Sequence, residues 1–133
     1  MAIHRDVQPQ GWARPRGYAN GVLAEGKLLF IAGQVGWDPA TPEPTFPKSF
    51  VEQFDRALQN VLAVVREAGG TAENLTQLTL FVTDKAEYLA ALEEVGAVWK
   101  KHAGRHYPAM ALVQVASLLS DEAKVEIQGM AVL

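Results

Sequence analysis

Residues 27–34 read KLLFIAGQ. The run from Leu28 to Ala32 is apolar without a break, and Gly33 closes it. An unbroken run of this length reads as a strand buried on both faces. Such a strand needs cover above and below. Only two helix patterns are available to supply it. The first opens at Ser49, where Ser49 and Glu52 match a capping box, and places Phe50, Phe54, Leu58, Val61, Leu62 and Val65 on one stripe. Gly69 and Gly70 stop it. The second is capped by Asp84 and Glu87, carries Tyr88, Leu92, Val95 and Trp99 on its apolar side, and ends near Gly104. Two helices separated by strands suit one face of a single sheet. The other face is left bare, so neighbouring subunits are expected to cover it.

The remaining segments complete an α+β domain over residues 1–133. Residues 1–17, with Pro9, Gly11, Pro15 and Gly17, read as an extended lead-in. Residues 18–24 suggest a first strand, and Glu25-Gly26 a turn. Residues 35–47 contain Gly36, Pro39, Pro42, Pro44 and Pro47 and read as a loop. Residues 75–83 alternate like a strand, with Leu78, Leu80 and Val82 on one face and Gln77, Thr79 and Phe81 on the other. Residues 109–116 and 124–132 form the last strands. The order is β-β-α-β-α-β-β.

In the last strand Val125, Ile127, Gly129 and Ala131 suit the helices, while Lys124, Glu126, Gln128 and Met130 face the other way. Glu126 therefore sits mid-strand on the face assigned to subunit contacts. A carboxylate there pairs, hydrogen-bonds or does chemistry, because burying it alone is costly. In the preceding strand Met110, Leu112 and Gln114 share a face, and Gln114 is a polar companion for Glu126.

Composition narrows the functions. A net charge of -3 counts against nucleic acid, which usually asks for a basic face. The absence of cysteine excludes disulfides, iron–sulfur clusters and thiolate zinc sites. No stretch matches a leader peptide or a membrane span, so the chain reads as a cytoplasmic protein. His102 and His106 have the spacing of a zinc pair, but Gly104 lies between them and no third ligand is near in sequence.

Several stretches, in this order, resemble one family: GYANGV, IAGQVG, FDRALQNVLAVVREAG, LTLFVTD and YPAMALVQVASLLSDEAKVEIQGMAVL. They resemble the RidA (YjgF) family of enamine/imine deaminases, from about residue 17 onward. The resemblance implies a chorismate mutase-like fold of the bacillus type: a mixed sheet with two helices on one face. It also implies a homotrimer, with small-molecule sites in three intersubunit clefts. The activity implied is hydrolysis of 2-imino or 2-enamino acids to 2-keto acids and ammonia, with no metal or organic cofactor. The family tyrosine falls on Tyr18, its second-strand glycine on Gly33 and its water-orienting glutamate on Glu126. A helix asparagine of the family falls near Glu93.

One position departs from the pattern. The family's carboxylate-binding arginine, in P-A-R, falls on Met110. An arginine clamps a carboxylate with two parallel hydrogen bonds, and methionine offers none. The chain thus resembles an arginine-lacking branch. Arg16, two residues before Tyr18, and Arg105, just before Pro108, are the cations that could replace the clamp; both also fit solvated loop positions. Trp37 follows GQVG and could stack on a planar ligand or on a neighbouring subunit. Three functions compete: a hydrolytic deaminase, for instance of a 2-aminomuconate-like compound; a non-catalytic trimer that binds a small metabolite; and, least favoured, a ribonuclease or translation inhibitor.

Overall fold

The structure, a computed structural model, describes residues 3–43 and 45–133. Pro44 of the expected loop and the first two residues of the lead-in lie outside them. The main sheet has four strands in the order β3 (Leu28–Val35), β6 (Val125–Val132), β4 (Leu75–Val82), β5 (Ala109–Gln114). β6 runs antiparallel to both of its neighbours, and β4 and β5 are parallel. α1 (Phe50–Glu67) and α3 (Leu92–Ala103) cover one face. This is the α+β architecture expected, a mixed sheet with its helices on one side.

The period-2 pattern places the core. Leu78, Leu80, Val82, Val125, Ile127 and Ala131 are buried beneath the helices, and the whole expected stripe of α1 packs onto them. Ser49 Oγ accepts from Glu52 N at 3.1 Å, which satisfies one of the free N–H groups of α1. Two buried amides on α1 tie in the loops. Gln53 Nε2 donates to Pro47 O (2.8 Å) and Glu122 O (3.0 Å), and its Oε1 accepts from Lys124 N (2.8 Å). Asn60 Nδ2 donates to Val35 O (3.0 Å) and Trp37 O (2.8 Å).

Four details differ from the sequence reading. First, the extended lead-in contains a strand, β1 (Ile3–Val7), paired antiparallel with β2 (Gly21–Glu25). β1 has no apolar alternation of its own; β2 supplies its ladder, and His4 Nε2 bonds Val132 O at 2.9 Å. Second, β2 starts at Gly21 and not at Tyr18. Ala19 instead makes a parallel bridge to Ala109, its N–H reaching Pro108 O at 3.0 Å, and this sets Tyr18 against the edge of β5. Third, the second helix is broken at Ala91 into α2 (Lys85–Ala90) and α3. Fourth, β3 is not buried on both faces within one chain. Phe30 is 70% exposed and Leu28 59%, because none of the described residues crosses that side of the sheet there. With Val113 they leave an apolar open face.

Candidate functional site

Glu126 stands on this open face. It lies opposite Phe81 of β4 and Val35 of β3, is half-buried, and takes part in no ion pair among the described residues. Beside it the β3–β6 ladder loses register between Ile31 and Gln34. Ala32 and Gly33 have no register partner in that ladder, and Ala32 O accepts from Gln34 Nε2 at 3.3 Å. A Cβ on Gly33 would come within 2.7 Å of Glu126 Oε1. Only glycine lets the carboxylate rest against the strand there. The structure thus brings Gly33 and Glu126 together.

Met110 does not join them. In the β4–β5 ladder Met110 lies opposite Leu78 and Leu112 opposite Leu80, on the helix face, whereas Glu126 shares its face with Phe81. Paired residues of neighbouring strands point the same way. Within one chain, Met110 and Glu126 therefore stand on opposite faces of the sheet. Gln114 goes with Met110 and is not the companion of Glu126: its Oε1 accepts from Lys85 N at 2.8 Å and holds the start of α2. Lys124 turns to Glu87 (3.0 Å) and also leaves Glu126 unpaired.

On the helix face, Met110 walls a pocket of about 400 Å³ between β5, α1 and the α2–α3 pair. Its interior is formed by Phe54, Leu80, Val95, Leu112 and the rings of Tyr88, Trp99 and Tyr107. Trp99 stacks on Tyr107 at 5.7 Å and donates to His106 O at 2.9 Å, so its indole is fixed. Burial pushes the Tyr88 hydroxyl above its ordinary 10.0. Arg16 and Tyr18, the latter 41% exposed, line the same pocket. Gly96 of α3 also lines it, and a Cβ there would meet nothing within 4 Å. A glycine inside a helix costs about 1 kcal/mol relative to alanine, so this bare position at the pocket's exposed rim is not free. A glycine interrupting a helical pattern is a signal that the sequence reading passed over.

The other expected residues lie elsewhere. Trp37 packs its ring on Phe46 at 5.5 Å, and its carbonyl accepts from Asn60 and from Arg56 Nε (3.3 Å), which makes it a loop anchor. Arg105 is exposed on a groove shared with Trp12, Arg14, Tyr18 and Tyr107, so a small basic and aromatic patch exists that the sequence reading missed. Glu93 is exposed on α3. His102 and His106 do not converge. His102 Nε2 donates to Asp55 Oδ1 at 2.6 Å, and His106 Nε2 to Leu75 O at 2.7 Å. Burial alone would raise the Asp55 carboxyl. The hydrogen bonds from Gln59 and His102 and the charges of His102 and Lys101 outweigh it and hold the group below 3.8.

The strand order and the one-sided helices define a class of small α+β proteins, a four-stranded mixed sheet covered by helices on one face. The chain belongs to the endoribonuclease L-PSP family, also known as the YjgF/RidA family, whose model matches residues 12–133. It is 32% identical over 115 residues to the 2-iminobutanoate/2-iminopropanoate deaminase of Capra hircus, covering 86% of this chain and 79% of that one. A Rid-family protein of unknown function from Yersinia pestis superposes with a TM-score of 0.82 at 28% identity, covering 98% of each chain. TdcF of E. coli, crystallised with bound serine, gives a TM-score of 0.68 at 32% identity, covering 97% of this chain and 98% of that one. No helix among the described residues is long and apolar enough to cross a membrane.

Proposed function

We propose that the protein hydrolyses the C=N bond of an imine, or of its enamine tautomer, in a cleft built by two copies of the chain within a homotrimer. The carrying observation is Glu126, a carboxylate with no ionic partner among the described residues, resting against a strand made bare by Gly33. Glu126 orients a water toward the imine carbon and accepts its proton. The oxygen–carbon bond forms and the C=N π pair moves to nitrogen, which takes up a proton. The hydroxyl proton of this adduct then passes to nitrogen, its electron pair forms the C=O π bond as the C–N bond breaks, and ammonia and a carbonyl compound are released. The backbone at Ala32 and Gly33, where the β3–β6 register shifts, borders the ligand, and Tyr18 borders it from the facing copy.

Three further points support this reading. Relatives at about a third identity bear deaminase names. Met110 and Glu126 stand on opposite faces, so a site that uses both walls needs two chains. The apolar open face at Leu28, Phe30 and Val113 is also of the kind that subunit packing removes from water. The test is keto-acid release from imino acids made in situ by an amino-acid oxidase. Glu126→Gln should lower the rate about 100-fold or more, with the melting temperature little changed. Unchanged turnover sinks the role of Glu126. Ligands that raise the melting temperature but are never consumed would point to a binding trimer, the reading that Met110 favours.

A further inference from the structure

We propose that the pocket between β5 and α3 selects ligands with a bulky apolar side chain, aromatic or branched aliphatic, whose anionic end is met by Arg16. The proposal extends the deaminase reading by naming its substrate class: 2-imino or 2-enamino acids larger than the two- to four-carbon kind.

Three observations carry it. The pocket's 400 Å³ lies within the range of small-ligand sites, and its walls are hydrocarbon and ring surface. An arginine at position 110 would put a charge into this space. Met110 instead extends the apolar wall, and a flexible thioether packs well against an aromatic ring. Gly96 stands at the exposed rim of the same pocket and leaves open space where a side chain would project. A helix that gives up a side chain at a position where one would fit leaves room for something else. Among the pocket's lining residues Arg16 is the single charged one, and it takes part in no ion pair with a described residue. A ligand matched to this pocket is apolar at one end and anionic at the other.

The test compares imines generated by an L-amino-acid oxidase from phenylalanine, leucine and alanine. It also compares binding of the products phenylpyruvate and pyruvate by calorimetry. We expect kcat/KM for the phenylalanine-derived imine to exceed that for the alanine-derived one roughly tenfold or more, the scale on which apolar pockets discriminate. Gly96→Ala and Gly96→Leu both improve helix propensity and enter open space, so both should fold. The leucine variant should cut the phenylalanine-to-alanine ratio about tenfold. Arg16→Gln should raise KM for every substrate more than it changes kcat. Equal or faster handling of the alanine-derived imine overturns the proposal, as does a ratio unmoved by Gly96→Leu. If no imine is consumed at all, the deaminase reading fails by itself. The pocket is then upheld by phenylpyruvate binding more tightly than pyruvate and losing that advantage in Gly96→Leu, and overturned by equal binding or none.

Discussion

Two glycines three residues apart, Gly33 and Gly36, about 10 Å of extended chain, offer a controlled comparison. Alanine at Gly33 would place Cβ 2.7 Å from Glu126 Oε1 and 2.8 Å from its Cδ. Alanine at Gly36 would place Cβ 2.6 Å from Cα, Cβ and O of Gln53. The overlaps are nearly equal, but what gives way differs. At position 33 the obstacle is the far end of a flexible side chain on an open face, which can rotate aside at a cost of under about 1 kcal/mol. At position 36 the obstacle is helix backbone, and the residue in the way anchors three hydrogen bonds. Overpacking there costs about 3 kcal/mol, the upper end for a core that must shift. At roughly 4 °C per kcal/mol, Gly36→Ala should melt about 12 °C lower and Gly33→Ala within about 4 °C of wild type. Activity should show the opposite order. Gly33→Ala displaces the carboxylate and should lose about 100-fold in keto-acid release, while folded Gly36→Ala keeps most of it. Thermal melts and the coupled oxidase assay on both variants decide the matter. Equal melting temperatures, or full activity in Gly33→Ala, refute the assignment of Gly33 as the residue that makes room for Glu126.

Asn60→Leu should destabilise by about 1–3 kcal/mol in urea, because it removes the amide donor to Val35 O and leaves Trp37 O with Arg56 alone; a loss under about 0.5 kcal/mol would mean that water replaces the amide. Asp55 titrates below its unfolded value, so its carboxylate adds stability above pH 3.8, and that contribution disappears as the pH falls through the lower folded value. Asp55→Asn should therefore flatten the acid limb of a melting-temperature profile below pH 3.8, and an unchanged limb would exclude the His102 pair as its source. Phe30→Glu places a charge in the centre of the open face and should convert particles of three times 14.5 kDa into particles of 14.5 kDa by light scattering; a wild type that is already monomeric refutes the trimer.

Local periodicity made the core legible. The alternation in β4 and β6 and the stripe on α1 each depend on one segment's own residues, and each is buried as its pattern requires. Glu126 and Gly33 also stood out, one as a charge in an apolar alternation and the other as the residue closing an apolar run. What could not be read depends on pairing between distant segments. Whether Met110 faces Glu126 is settled by the parallel register of β4 and β5, which no single segment encodes. Gln53 and Asn60 look like ordinary polar positions on a helix, since their partners are loop carbonyls far along the chain. The break at Ala91 involves neither glycine nor proline and left no mark. β1 exists because β2 presents it with an edge, not because of its own pattern.

The opposed orientation of Glu126 and Met110 has a genetic consequence. In the ring of three proposed above, each cleft would take its carboxylate from one chain and its apolar wall from the next. A chain with a dead carboxylate and a chain with a blocked pocket are each inactive alone. Co-expressed, they assemble into mixed rings. Going round any mixed ring, there is one junction at which a sound carboxylate meets a sound wall. Two null alleles would thus restore activity in the same cell, while two alleles damaged on the same wall would not. Strand register, a matter of which way alternate side chains point, would be readable as a complementation pattern.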